Sequence, residues 1–170
     1  MPHEAVPVEE QENLLSPQYC AGFFDGEGCV QIVSRGKNND ITLRLWVINL
    51  NKEVLLRLAQ RFGGTCIDRK IYGKTRLNSR PSSAWQVSGA NAHKFLLEIH
   101  PYAIVKKKQI DLGLEFLEFK ALPRKVRCHY NNPRGKFSNK PVFLRRQETI
   151  QKETEFYIQM RVLNKRGVNA

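Results

Sequence analysis

The sequence contains no apolar run long enough to cross a bilayer and no basic-then-apolar start of the kind a secretory signal needs. A chain that stays inside a cell is expected, in cytoplasm or organelle, with no membrane among its partners. Cysteine is sparse: Cys20, Cys29, Cys66 and Cys128 form no C-x-x-C pair, so free thiols are expected, and neither a disulfide framework nor a zinc site is. The histidines His3, His93, His100 and His129 supply no zinc spacing either. Acid is also in short supply, with 16 Asp and Glu against 28 Lys and Arg. Glu4, Glu9, Glu10 and Glu12 crowd into the start of the chain, so 1–13 reads as a loose leader and 14–170 as a single domain without internal repeat.

The basic surplus leaves a net charge of +12, which draws a protein to a polyanion with salt-sensitive affinity. Basic residues occur along the whole chain rather than on one amphipathic helix, which favours nucleic acid over anionic lipid. Apolar residues at 41% and charged residues at 26% are those of a globular domain, and 170 residues can bury a core.

Ser16-Pro17 opens a helix, because serine caps free N–H groups and proline suits the first helical position. The helix runs into Asp25-Gly26-Glu27-Gly28, whose glycines end it, so the segment spans 16–28. Period-two alternation over 29–35 and 41–47, with a polar turn between, reads as a hairpin with one dry face. Over 51–62 the spacing becomes helical, with Leu55, Leu58 and Phe62 on one stripe and Gly63-Gly64 as the stop. Strand-like runs follow over 65–72 and 83–88, joined by a basic segment, 73–82. Helices are expected over 91–100 and 107–120, with Gly113 weakening the second. The C-terminal part, 121–170, reads as a basic, turn-rich loop over 123–141 and a helix over 143–163. The expected fold class is therefore α+β, in the order αββαββα: a four-stranded antiparallel sheet with helices on one face, plus C-terminal helices.

Gly22 and Gly26 lie four residues apart with Ala21 beside them, which leaves one helix face nearly bare. Two such helices can approach backbone to backbone. A two-fold pair would bring both Glu27 carboxylates together, and divalent cations would relieve their repulsion. Acids at a helix C-terminus also oppose its dipole, which argues against mere structural convenience.

Tyr19-Cys20-Ala21-Gly22-Phe23-Phe24-Asp25-Gly26-Glu27-Gly28 resembles the signature segment of the LAGLIDADG homing endonucleases, and the order of elements over 16–120 fits that family. The resemblance implies that Glu27 is the essential metal ligand, assisted by the Gly26 carbonyl. It makes Asp25 mainly structural, bonding across the helix ends, and a lesser candidate at the metal. Mg²⁺ is the implied cofactor, with Mn²⁺ able to substitute. The segment occurs once, and single-copy members are homodimers, which places Tyr19, Ala21, Gly22 and Gly26 at the dimer interface. A two-fold dimer reads a site of matching symmetry, so the implied partner is double-stranded DNA with a long pseudo-palindromic target. The implied reaction is site-specific hydrolysis of both strands leaving 3′ overhangs, with no small-molecule substrate, from a gene carried in an intron or similar mobile element.

Pro101-Tyr102-Ala103-Ile104-Val105-Lys106-Lys107-Lys108-Gln109 resembles a stretch whose lysine reaches the cleavage centre, and counting from the proline gives Lys106. Lys107 and Lys108 are the other registers, and a solvated basic helix end is the plain alternative. Asn49 occupies the place of a polar residue that organises water, and Lys52 would bring a second positive charge. A helix cap at Asn49 or Asn51 explains the same residues.

The exposed strand faces are expected to carry Gln31, Val33 and Arg35, then Arg44 and Trp46, then Asp68, Lys70 and Tyr72, then Gln86 and Ser88. An antiparallel ribbon fits the major groove, where Arg and Lys read guanine and Gln reads adenine. Lys37, Lys74, Arg76 and Arg80 lie in strand-connecting turns suited to phosphates, and Arg124, Lys125, Arg127, Arg134, Lys136 and Lys140 extend backbone contact. Three rivals remain. One is a non-cutting relative, an RNA maturase or transcription regulator. Another is a different nuclease using Asp111 with Glu118-Phe119-Lys120, whose chemistry wants strands where this stretch reads as helix. The third is a basic structural protein.

Overall fold

Ser16 caps the first helix, α1 (Pro17–Glu27), its hydroxyl oxygen accepting from the Tyr19 N–H at 3.2 Å. The computed structural model describes residues 15–35, 40–69, 81–122, 125–128, 142–145 and 147–165. Expectations for the leader 1–13, for Lys37, Lys70, Tyr72, Lys74, Arg76 and Arg80, and for Arg124, Arg134, Lys136 and Lys140 lie outside these residues. So do the side chains of Arg35, Lys125 and Arg127.

After α1 come β1 (Gly28–Arg35), β2 (Asp40–Asn49), α2 (Lys52–Phe62), β3 (Thr65–Arg69), β4 (Ser82–Ser88), α3 (Gly89–Ile99) and α4 (Lys107–Ala121). The αββαββα order is as expected. The four strands form one antiparallel sheet in the order β1-β2-β4-β3. Its inward residues, Val30, Ile32, Ile41, Leu43, Leu45, Val47, Trp85 and Val87, are all buried. The alternate residues face the other way, as period two requires.

Phe95 on α3 is the centre of the core. The rings of Phe24, Phe62 and Trp85 each meet it edge-on, at centroid distances of 5.2, 4.8 and 5.1 Å. Trp85 is fully buried and still satisfied, because its Nε1–H donates to the Gly63 carbonyl at 2.9 Å. Gly113 does not interrupt α4. A Cβ there would lie 3.0 Å from Leu43 Cδ1 and 3.3 Å from Leu96 Cδ1, so its bareness lets the helix lie close on the sheet.

The C-terminal part departs from expectation. The start of the anticipated loop, β5 (Lys125–Cys128), pairs as a short ladder with β6 (Val142–Arg145), which takes the first residues of the anticipated helix. The last helix, α5 (Gln147–Leu163), consequently starts later than the apolar pattern suggested. Helix α5 then covers the edge strand β1, where Asn164 Nδ2 donates to the Val30 carbonyl at 2.8 Å.

Gly28 joins α1 to β1, and its requirement is space rather than dihedral freedom. A Cβ there would sit 2.3 Å from Phe24 Cδ2, on a ring that is 1% exposed. Gly28→Ala should therefore cost about 1–3 kcal/mol through overpacking, read as a fall of several degrees in thermal midpoint. An unchanged midpoint would show that the Phe24 ring can shift without loss.

Candidate functional site

The end of α1 is tied to a turn about 80 residues further along the chain. Asp25 Oδ2 accepts the backbone N–H groups of Ile104 at 2.7 Å and Val105 at 3.1 Å, while Oδ1 accepts that of Lys106 at 3.0 Å. The Lys106 ammonium in turn donates to the Asp25 carbonyl oxygen. Lys106 thus lies against the acidic tetrad, within one α1 turn of Glu27. Burial acts to raise the Asp25 carboxyl pKa, but the three N–H bonds and the Lys106 charge outweigh it and hold the group below the ordinary carboxylate value.

Both Asp25 oxygens are thus committed to N–H donors of its own chain. Glu27, the last residue of α1, is exposed. Its carboxylate beside the Gly26 carbonyl is an oxygen donor set of the kind that suits a hard divalent cation. Among the described residues no group of three or more His, Cys, Asp and Glu side chains could hold a metal ion.

One face of α1 is open. A Cβ added at Gly22 or Gly26 would meet nothing within 4 Å, and Tyr19, 46% exposed, stacks on Phe23 at 5.9 Å along the same face. Ala21 does not belong to it. That residue is fully buried with Cys20 and Phe24, because at helical spacing it falls on the opposite side from Gly22 and Gly26. Beside this face the Asp25-bound turn carries Ile104 at 83% and Val105 at 73% exposure. Sequence reasoning missed these two residues; two apolar residues immediately before a lysine run were the available signal.

Asn49 and Lys52 are engaged locally. The Asn49 amide oxygen accepts the Asn51 N–H at 2.8 Å, and Asn51 caps α2 by accepting the Glu53 N–H at 3.0 Å. The Lys52 ammonium bonds Asp68 Oδ2 at 2.8 Å, and Ser83 Oγ donates to Asp68 Oδ1 at 2.7 Å. Asp68 is accordingly misplaced in the sequence expectation. It pairs in register with Ser83 and shares the helix-covered face with Cys66 and Trp85, so the outward residues of β3 are Thr65, Ile67 and Arg69.

The remaining outward positions are as expected: Gln31 and Val33 on β1, Arg44 and Trp46 on β2, and Gln86 and Ser88 on β4. Gln31 lies opposite Arg44, Arg44 opposite Ser88, and Trp46 opposite Gln86. Gln86 Nε2 donates to Thr65 Oγ1 at 3.1 Å, at the wall of a pocket of about 290 Å³ that Arg44, Gly64, Ser88 and Asn91 also line. Among the described residues, Thr42 Oγ1 and Arg44 Nε on this sheet are buried without a hydrogen-bond partner.

The rival acidic set is not assembled. It lies on helix α4, where Asp111 Oδ1 is 2.7 Å from His100 Nε2, and Lys120 pairs with buried Glu153 at 3.1 Å and with Asp40 at 3.5 Å. No helix among the described residues is long and apolar enough to cross a membrane.

No family model matches the sequence, and no curated protein matches it. Solved structures do. The homing endonuclease I-CvuI, in complex with its target in the presence of Ca, matches with a TM-score of 0.62 at 19% identity, over 94% of this chain and 89% of that one. The archaeal intron-encoded homing endonuclease I-Vdi141I, complexed with DNA, gives 0.61 at 14% identity over 94% and 87%. The LAGLIDADG homing endonuclease I-GzeII, in complex with its DNA target, gives 0.53 at 14% identity, over 87% of this chain but 44% of that chain. The chain therefore has the fold of the LAGLIDADG homing endonucleases.

Proposed function

We propose that the chain is a homing endonuclease that acts as a homodimer, making metal-dependent double-strand cuts in a long pseudo-palindromic DNA site. The observation that carries this is the anchoring of Lys106 to the end of α1 beside exposed Glu27. A cation and a carboxylate are brought together there from distant parts of the chain. The DNA-bound state of the structural neighbours supports duplex DNA as the partner.

The homodimer reading draws on the open α1 face, with Gly22 and Gly26 bare and Tyr19, Ile104 and Val105 exposed around it. The match to nearly all of I-CvuI but under half of I-GzeII also fits a chain that works as one of two halves. Two copies meeting on α1 would bring two Glu27 carboxylates to one place. Glu27 and the Gly26 carbonyl would hold Mg²⁺, with Mn²⁺ able to substitute. When bound, such ions activate water and stabilise the leaving 3′ oxygen. Lys106 would face the negative charge that develops on the phosphate. The outward sheet residues Gln31, Arg44, Trp46, Arg69 and Gln86 would lie in the major groove. Staggered cuts leaving 3′ overhangs are part of the proposal.

The test is to incubate the protein with a randomised long-site plasmid library in Mg²⁺ and in EDTA and to sequence the ends. Symmetric cuts at one pseudo-palindromic site, lost in EDTA, are expected. Specific binding without cutting in Mg²⁺ or Mn²⁺ would move the chain to the maturase or regulator class.

A further inference from the structure

Lys52 and Asp68 form an ion pair whose place in the sheet is informative. On the helix-covered side, Asn49 lies opposite Ser83 and Ser83 opposite Asp68. Gly28 lies opposite Val47, so Asn49 projects two residues beyond the start of β1, at the sheet end that carries Glu27. A polar row thus runs across that end from β2 to β3. Lys52 joins it from the first position of α2, where a positive charge opposes the helix dipole.

The pair has no evident structural purpose. Both side chains are solvated, at 48% and 68% exposure, and exposed pairs of this kind add little net stability. Asp68 is nevertheless fixed on its other oxygen by Ser83, itself 5% exposed, so the acceptor is held in place while the lysine is not. A phosphate oxygen competes directly with a carboxylate for an ammonium group.

We propose, on the reading that the chain binds duplex DNA, that Asp68 is a positioning residue that holds the Lys52 ammonium in an ion pair until a DNA backbone phosphate takes it over. The lysine is then a phosphate ligand in the complex, and Asp68 competes with DNA instead of reading a base.

The test uses the full chain with a fluorescein-labelled duplex of one fixed sequence in Ca²⁺, following anisotropy across a KCl series. Lys52→Gln should flatten the slope of log K against log salt by about 0.9, the value for one lost phosphate contact. Asp68→Asn should instead bind more tightly at an unchanged slope, because no ion pair has to be broken to free the lysine. In a Lys52→Gln background the same Asp68→Asn change should tighten binding much less. A structural role would move the thermal midpoint and not these affinities. Tightening that persists undiminished without Lys52 would reduce Asp68 to one repelling charge among others and overturn the proposal, as would an unchanged slope in Lys52→Gln. A wild-type chain that fails to bind duplex DNA at all would overturn the functional reading, and this proposal with it.

Discussion

Replacing Glu27 by Gln should lower the rate of DNA cleavage by at least about a thousandfold while leaving DNA binding intact. Gln keeps the size of the side chain and removes its charge, so under the proposed function the change acts on the metal and not on packing. The stabilisation that a bound divalent ion gives to a transferring phosphoryl group is worth several kcal/mol, and about 1.4 kcal/mol corresponds to tenfold in rate. Glu27 is exposed at the end of α1, so the thermal midpoint should not change. Affinity for DNA in Ca²⁺ should hold or rise slightly, since one negative charge per chain leaves the neighbourhood of the phosphates. Single-turnover cleavage in Mg²⁺ beside anisotropy in Ca²⁺ separates the two effects. Cleavage within tenfold of wild type would place the metal elsewhere.

Much of this architecture was legible in the sequence because its elements obey a local period. Ile41, Leu43, Leu45 and Val47 alternate with Thr42, Arg44 and Trp46, and the sheet buries the first set and turns the second outward. The Leu55, Leu58 and Phe62 stripe was equally plain, and all three residues are buried. The acidic tetrad was visible because acids at a helix C-terminus oppose its dipole and so stand out from an ordinary glycine stop.

What was not legible depends on long-range contact or on which side of an element a residue falls. The run Thr65-Cys66-Ile67-Asp68-Arg69 mixes polarity at every step, so its inward face could not be chosen from pattern. Asp68 faces inward because its register sets it opposite Ser83, whose hydroxyl donates to it. Ala21 was grouped with Gly22 for its size, whereas the helical turn puts it with Phe24 in the core. The β5–β6 pair draws its partners from opposite ends of a polar segment, and no local period marks such a pairing. The bond from Asp25 to the 104–106 backbone likewise depends on atoms that carry no side-chain identity at all.

That bond leads to the second large effect. Asp25→Ala removes a charged acceptor from three N–H groups, and hydrogen bonds to charged groups are worth about 1.5–3 kcal/mol each. Because the turn is partly solvated and can relax, a net loss of about 3 kcal/mol is expected, a drop of roughly 6–12 °C in thermal midpoint for a chain of this size. The loss should depend on pH in a defined direction. The folded carboxyl has a depressed pKa, so its contribution is fully present above the unfolded value of about 3.9 and disappears as pH falls through the lower folded value. The gap between wild type and Asp25→Ala should therefore be constant from neutral pH to about pH 5 and close below about pH 4. Cleavage should fall further than folding alone explains, because Lys106 loses the bond that fixes its backbone, and a displacement near 1 Å can cost about a hundredfold. Denaturant melts across pH, run beside single-turnover cleavage at a temperature where both proteins are folded, measure both losses. A stability gap that widened in acid would contradict the assignment of a depressed carboxyl, and full activity at the lower stability would show that Lys106 needs no anchoring by Asp25.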